Sequence, residues 1–215
     1  MARKLQEILA DRLLLLWLLY DAMNYKRFGE TKVQKLVFLS EWKMIDNLEK
    51  GFNYNFIRLS FGAFSPDVEK DVKWLEDEQL IEAIPISEKA RIFRQTRFGN
   101  KLFNDFREIF RRNVTFTRRM AEINRKYAKK PLQELVDYVY SLPHPYIKGL
   151  TILKSKFGQP LLYKLDEEKA KEAFKITPEE LATLDIYFDD ESYRSVIQAF
   201  ESAKRKPLLK LEEVF

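Results

Sequence analysis

An apolar run near the start of the chain limits the folds open to it more than any other feature. The stretch from Leu13 to Leu19 is apolar at every position, and Asp11, Arg12 and Asp21 bracket it. It is far shorter than the roughly 20 apolar residues that a membrane-spanning helix needs. A helix that is apolar on every side is buried on several sides. The spacing therefore predicts a helix over about Lys4 to Asn24 as the central strut of the fold.

The residue types present exclude several kinds of chemistry. The chain has 215 residues, no cysteine and a single histidine. Disulfides, thiolate metal sites and a metal cage built from histidines are therefore excluded. The sequence has no glycine-rich phosphate-binding motif, and His144 has no acid or nucleophile near it in the sequence. We expect a protein that is not an enzyme, uses no cofactor or metal, and lies in the reducing cytoplasm.

Two helix-start signals predict the second and third helices. Thr31 and Gln34 have the spacing of a capping box, in which two side chains bond the free backbone groups of a helix start. The second helix should therefore run from Thr31 to about Asp46. Ser65 is a good N-cap and Pro66 a good first helical residue, so the third helix should start there.

A β-hairpin should follow the third helix. The strand-like runs Ile81 to Ile86 and Arg91 to Gln95 are joined by four residues, and Thr96 then caps a helix that begins at Arg97. Three helices and a hairpin in this order are typical of a winged helix, whose third helix and hairpin loop form the usual contact surfaces. The predicted fold class is mainly α with a small hairpin.

The remainder of the chain should be largely helical. A winged-helix-like domain should span 1–112 and a helical region 113–215, with one long helix or two near 97–130 as the connector. The other predicted segments are a strand over Phe52 to Phe56, helices over Leu132 to Leu142, Tyr146 to Lys154 and Asp190 to Lys204, a capping box at Thr177, and a strand or tail over Leu208 to Phe215.

Two further patterns have simple structural interpretations. Trp17, Trp42 and Trp74 lie at helical spacing and should pack in the core rather than stack on a cofactor. Pro66-Asp67 and Asp71-Val72-Lys73 superficially match a nuclease motif. That motif needs its residues on adjoining strands around a metal, whereas these lie within one predicted helix.

Charge is unevenly distributed, although the net charge is only +5. The segment from Ile86 to Lys130 has 14 basic and four acidic residues, a net charge of +10. The segment from Asp166 to Glu201 has four basic and 11 acidic residues, a net charge of −7. The two segments could complement each other within the fold or across a homodimer.

Several segments resemble a known family, among them Trp74 to Ile81, which resembles the exit of that family's third helix. Thr31 to Glu41, the sequence TKVQKLVFLSE, resembles the "KLQKLLYLA" helix of the Panacea-domain (SocA-like) antitoxins and the related YwgA-like proteins. Phe61 to Asp71 resembles their "YGPxSxxLxxD" turn into the next helix, with Ala63 where these families typically have proline. Gln95 to Gly99 is similar to the "LTxxG" that closes the wing of many winged helices. The resemblance implies a prokaryotic protein, such as an antitoxin or proteolysis adaptor, that holds a partner protein.

One hypothesis is therefore a protein-binding winged helix. The third helix is acidic, with six acids against two lysines. An acidic surface can pair with a basic partner and steer its association. The candidate partner-binding residues are Asp67, Lys70, Asp71 and Glu78, and the resemblance implies a toxin or a protease substrate as the partner.

The alternative is a DNA-binding transcriptional regulator that uses a basic hairpin. Lys and Arg side chains there could contact phosphates. The candidate nucleic-acid-binding residues are Lys89, Arg91, Arg94, Arg97 and Lys101. The acidic third helix opposes this alternative, because phosphates along a DNA groove would repel it.

Overall fold

The computed structural model describes residues 3–25, 28–87 and 90–188, and there the fold is mainly α, as predicted. The helices are α1 (Leu5–Met23), α2 (Glu30–Asp46), α3 (Pro66–Asp77), α4 (Arg97–Asp105), α5 (Arg107–Arg112), α6 (Val114–Tyr127), α7 (Leu132–Ser141) and α8 (Pro178–Phe188). The strands are β1 (Glu49–Lys50), β2 (Phe56–Leu59), β3 (Gly62–Phe64), β4 (Ile81–Ser87), β5 (Ala90–Gln95), β6 (Pro160–Leu162) and β7 (Glu172–Ala173). Of the helices described, none is both long and apolar enough to cross a membrane.

Three small sheets accompany the helices. Strand β2 lies between β3 and β6 in an antiparallel sheet, β4 pairs with β5 as an antiparallel hairpin, and β1 pairs with β7 in parallel. Strands β6 and β7 have no clear sequence signal, because each is only two or three residues long.

The chain divides between Ile176 and Thr177 into two compact units. Within the first unit α6 packs against α1 and α2, so helices from both sides of residue 112 share one core, whereas we expected a boundary there. In the second unit, α8 begins with the predicted capping box, in which the Thr177 amide donates to Glu180 Oε2 at 2.8 Å. The segments predicted over Asp190 to Lys204 and Leu208 to Phe215 lie outside the described residues.

Helix α1 is the buried helix that its apolar run predicts. Leu13, Leu16 and Leu19 are fully buried, and the helix packs against α3 and α6. A run of leucines on every face allows α1 to have neighbours on several sides.

The tryptophans lie at the edge of the core rather than inside it. Trp17, Trp42 and Trp74 are each half-buried. Trp42 packs edge-on against Phe38, and the Arg12 guanidinium lies 3.9 Å from the ring centre of Trp74. Their packing role is as predicted, but their burial is less complete.

The predicted hairpin is confirmed, and each strand is one residue longer than expected. Thr96 caps α4, since its Oγ1 accepts a hydrogen bond from the Gly99 amide at 2.9 Å. The same Oγ1 donates to the carbonyl of Gln79 at 2.6 Å. A Cβ at position 99 would lie 2.1 Å from the Leu80 carbonyl oxygen, so this close approach requires glycine.

The capping box predicted at the start of α2 is wrong. Helix α2 begins at Glu30, and Gly29 before it makes no side-chain cap. The Gln34 side chain bonds a distant segment instead: its Nε2 donates to the Ser65 carbonyl at 3.0 Å and its Oε1 accepts from the Ser65 amide at 2.9 Å. Because the Gln34 side-chain amide is used in this tertiary pairing, it is not available for a capping box with Thr31.

The strand predicted over Phe52 to Phe56 is also wrong, because β2 begins only at Phe56. Side chains of two helices take the backbone donors of the preceding residues. The Phe52 amide donates to Glu41 Oε2 at 3.0 Å, and the Asn53 amide donates to Asp11 Oδ1 at 2.7 Å. Those amides cannot join a strand ladder.

Two helix predictions in the second half of the chain need correction. Residues 97–130 form three helices rather than one or two, and Asn113 stands at the second break. Its side chain donates to the Lys175 carbonyl and accepts from the Lys175 amide, at 2.8 and 2.7 Å. The segment Tyr146 to Lys154 is not a helix, since Gly149 has a φ of +80° and Pro143 forms a bridge with Thr151. The helix predicted over Leu132 to Leu142 is confirmed as α7.

A buried network of charges joins the start of the chain to α1 and α3. Arg3 Nη1 lies 2.8 Å from Asp11 Oδ2 and 2.6 Å from Asp71 Oδ2. Arg12 Nε lies 3.2 Å from Asp71 Oδ1, and Tyr54 Oη donates to Asp71 Oδ2 at 2.9 Å. Asp71 is therefore the acceptor shared by three donors in the interior.

Replacing Asp71 by alanine should lower the free energy of unfolding by about 3 kcal/mol or more, the range found when one partner of a buried ion pair is removed. Asp77→Ala on the same helix is the matched control. The Asp77–Lys73 pair is exposed, so its loss should cost less than about 0.5 kcal/mol. Urea unfolding of both variants measures the difference, and equal losses would contradict the role of the buried network.

Candidate functional site

The acidic residues predicted to bind a partner do not form one surface. Asp71 is buried in the charge network, so the prediction that it contacts a partner is wrong. Asp67 is half-buried with Oδ1 3.7 Å from Arg3 Nη2, and the exposed Lys70 lies 3.9 Å from the same oxygen. Glu78 follows the last residue of α3, about 16 Å along the axis from Asp67 at 1.5 Å per residue. Helix α3 therefore offers scattered charges rather than an acidic patch.

The basic residues of the hairpin region are largely paired with acids. Arg91 pairs with Glu30 and with Glu76, and the Arg91 Nη1 to Glu76 Oε2 distance is 2.8 Å. Arg94 pairs with Glu82 at 2.5 Å. These pairs reduce the positive potential that the two arginines would present to phosphates.

The other basic candidates differ in their surroundings. Lys101 pairs with Asp105 at 2.5 Å, one turn along α4. Arg97 is exposed, and it makes no ion pair with any residue that the structure describes. Lys89 lies outside the described residues. Arg97 is thus the one predicted phosphate-binding residue that the described structure shows to be both exposed and unpaired.

A cavity of about 320 Å³ opens between α2, α3 and the β2–β3 turn. We call it the α2–α3 groove. Apolar side chains make up much of its lining: Leu59, Phe61, Phe64, Val68, Val72 and Phe157. Phe61 is 63% exposed and Phe157 is 70% exposed. Two phenylalanines left in solvent beside an apolar cavity are typical of a surface that another molecule covers.

The groove exists because two distant turns meet at its rim. Phe61 lies in the two-residue turn between β2 and β3, where Leu59 pairs with Gly62. Gly62 has a φ of +89°, a conformation that favours glycine. Phe157 lies in the turn before β6, whose Gly158 amide donates to the Arg58 carbonyl at 2.8 Å. Pairing of β6 with β2 therefore brings Phe157 beside Phe61.

Two of the segments that carry the family resemblance meet at this groove. Gln34 of α2 bonds both backbone groups of Ser65, and Lys35 Nζ donates to the Ala63 carbonyl at 2.6 Å. Ala63 and Ser65 both lie in the Phe61 to Asp71 segment. The polar residues of one segment therefore hold the other in place.

Lys35 is a buried lysine, and the sequence analysis did not identify it as a site residue. Its side chain lines the groove and is 2% exposed as a whole residue, and no acid that the structure describes pairs with it. Burial lowers the pKa of Lys35 to about 7, because leaving water disfavours the charged amine. In a helical sequence pattern, a lysine next to apolar residues is expected to face solvent. The burial of Lys35 results from the turn that packs over it, which the local sequence does not indicate.

Glu41, a fully buried acid on α2, has a structural role. Glu41 accepts the Phe52 amide at 3.0 Å, while its Oε1 has no hydrogen-bond partner in the described structure. Burial raises the pKa of Glu41 well above its ordinary value, because leaving water disfavours the charged carboxylate. In the part of the chain that the structure describes, no three acids or histidines converge to hold a metal ion.

Comparison with known proteins adds no relative: no protein-family model, no curated protein and no solved structure matches this chain. The functional argument therefore depends on the site itself.

Replacing Lys35 by methionine should change the pH dependence of stability. Folding lowers the pKa of Lys35 from 10.5 to about 7, so between these values the unfolded chain holds a proton that the folded chain has released. The stability of the wild type should therefore rise with pH across this window, and the variant should lack this contribution. The quantity to follow is the free energy of unfolding of Lys35→Met minus that of the wild type. From pH 7 to 10 this difference should fall by more than about 1.4 kcal/mol, the equivalent of one pKa unit.

Urea unfolding at several pH values measures this difference. Lys73→Met is the matched control, because the Lys73 side chain is exposed on α3 and its removal should give no such pH dependence. A constant difference between Lys35→Met and the wild type across the window would contradict the buried-lysine interpretation.

Proposed function

We propose that this protein is a non-enzymatic protein-binding module of the antitoxin or adaptor type, and that its partner docks on the α2–α3 groove. The observation that carries the proposal is the pair of exposed phenylalanines, Phe61 and Phe157, beside an apolar cavity. Large aromatic side chains supply much of the binding energy at the centre of protein interfaces.

The electrostatics of the hairpin region support a protein partner over DNA. Arg91 and Arg94 already pair with acids of the same chain, and Lys101 pairs with Asp105. A phosphate that binds at these positions would have to displace a carboxylate of the same chain. The loss of that ion pair reduces the free energy gained by binding the phosphate. The groove needs no such displacement, because its apolar lining is open.

The winged-helix and family assignments belong to this proposal as well. The order of α1, α2, α3 and the β4–β5 hairpin is that of a winged helix. Two of the segments quoted for the family resemblance are in contact, since Gln34 and Lys35 of the first bond Ser65 and Ala63 of the second. If the protein works as the Panacea-domain proteins that it resembles do, the partner is a toxin or a protease substrate. The scattered acids of α3 would then contribute only to the long-range approach of a basic partner and would not form the contact itself.

Replacing Phe61 and Phe157 together by alanine should remove the partner while the protein remains folded. Affinity purification of the protein from cells that produce it, followed by quantitative mass spectrometry, should show one enriched partner protein. Its recovery should fall at least about tenfold in the double variant, because each truncated hot-spot residue typically costs more than about 1 kcal/mol of binding free energy. Val114→Ala is the matched control, because Val114 on α6 is 61% exposed and lies away from the groove. Recovery should not change in this control.

DNA binding remains the second candidate because Arg97 is exposed and unpaired among the described residues. Fluorescence anisotropy with a duplex of random sequence tests it at about 50 and 200 mM salt. Micromolar binding that weakens steeply between these concentrations and is lost in Arg97→Glu would support DNA binding. If the phenylalanine changes also leave partner recovery unaffected, the protein-docking proposal is overturned.

A further inference from the structure

The α2–α3 groove is lined in part by Lys35, a buried lysine that no acid of the described chain pairs with. Lys35 Nζ can donate three hydrogen bonds, and the structure gives it one acceptor, the Ala63 carbonyl at 2.6 Å. The residue is 2% exposed, so water solvates it poorly. A buried ammonium without a counter-ion is costly, and the cost falls when an anion is brought to it.

The charged neighbours of the groove do not supply that anion. Glu30 lines it, but its carboxylate is engaged by Arg91. Glu69 also lines it, yet its side chain is exposed on α3 and makes no ion pair with Lys35 in the described structure. Gln34 uses both ends of its amide on Ser65. The remaining lining around Lys35 is apolar or carries the hydroxyls of Thr31 and Ser60.

We infer that the groove recognises a carboxylate joined to an aromatic or aliphatic group, with Lys35 as the counter-ion and Phe61 and Phe157 as the apolar contacts. The inference rests on the proposed function and names the part of the partner that docks: an Asp or Glu side chain next to a large apolar residue. The carboxylate would approach the unused donors of Lys35 Nζ, while the apolar residue covers the two phenylalanines.

A carboxylate fits this site better than a phosphate does. One cation matches one negative charge, and a charge-assisted hydrogen bond forms with a single amine. A phosphate carries nearly two charges and three acceptor oxygens, which call for several cations or a set of backbone donors. The apolar lining of the groove offers neither, and a cavity of about 320 Å³ has room for an acidic side chain with its neighbour.

A bound carboxylate should also change the titration of Lys35. An anion favours the charged amine, so it raises the pKa of Lys35 from its value of about 7 in the empty groove. Carboxylate binding should therefore be strongest below pH 7 and weaken as the pH rises to 9. Glu30 and Glu69 are the acids that line the groove, and neither pairs with Lys35 in the described structure.

The test uses two small probes of similar size and shape, the anion 3-phenylpropanoate and the neutral 3-phenylpropanamide. Each is titrated into the full-length protein at pH 6.5, with lysine side chains labelled with 13C at Cε and followed by NMR. We expect the carboxylate to shift the Lys35 resonance and to bind at least about tenfold more tightly than the amide, at concentrations up to about 10 mM, the range in which so small a ligand binds. Lys35→Met should remove this preference, and Lys73→Met should retain it.

A measurement on the wild type makes the test independent of whether Lys35→Met folds. The pKa of Lys35 is read from its Cε resonance with and without 3-phenylpropanoate, and it should rise by at least one unit. Equal binding of the two probes, no binding of either, or an unchanged pKa would overturn the carboxylate inference.

The failure of this inference can be distinguished from the failure of the proposed function. If the phenylalanine double variant loses the partner but the probes show no preference, the groove docks a protein without a carboxylate anchor. If the double variant retains the partner, the docking proposal itself fails, whatever the probes show.

Discussion

The fold depends on polar side chains of α2 that are buried and bond the backbone of other segments. Lys32 Nζ donates to the carbonyls of Ala128 and Lys130 after α6, at 3.0 and 2.6 Å. Gln34 and Lys35 hold the turn that precedes α3, and Glu41 holds the segment that precedes β2. Burying a polar group is unfavourable unless its hydrogen bonds are made. Because each of these bonds forms in only one arrangement of the chain, α2 fixes the positions of three other segments.

This arrangement also explains where the protein can meet a partner. The bonds from Gln34 and Lys35 place the β2–β3 turn over α2 and hold Phe61 at the edge of the cavity, where β6 brings Phe157 beside it. The same arrangement gives the Lys35 amine only one hydrogen-bond acceptor, although it can donate further hydrogen bonds, in a lining that is apolar over much of its area. At the hairpin the situation is reversed, since Glu76 and Glu82 already neutralise Arg91 and Arg94. The α2–α3 groove thus combines two exposed phenylalanines with a lysine that no described acid pairs with, whereas the two arginines of the hairpin are already paired.

Much of the fold follows from local sequence signals, whereas the site does not. The apolar run predicts α1, Ser65-Pro66 predicts the start of α3, and alternation predicts the β4–β5 hairpin, because each signal acts within one element. The predictions at Gln34, Phe52 and Asp71 fail for one common reason: a residue far away in the sequence supplies the partner. The groove could not be predicted either, since Phe61 and Phe157 are 96 positions apart and meet only when β6 pairs with β2. The polar residues Gln34 and Lys35 within an otherwise apolar pattern were the available signal, and the family resemblance marked them without revealing their burial.

Site-specific photo-crosslinking in cells tests the docking account most directly. Phe61, Arg94 and Val114 are replaced one at a time by p-benzoylphenylalanine, which places the reactive group in the groove, on the hairpin or on α6. The account predicts one discrete cross-linked protein from position 61, lost when Phe157→Ala is added, and no discrete product from the other two positions. A discrete product from position 94 but not from position 61, or cross-linking to nucleic acid from position 94, would contradict it.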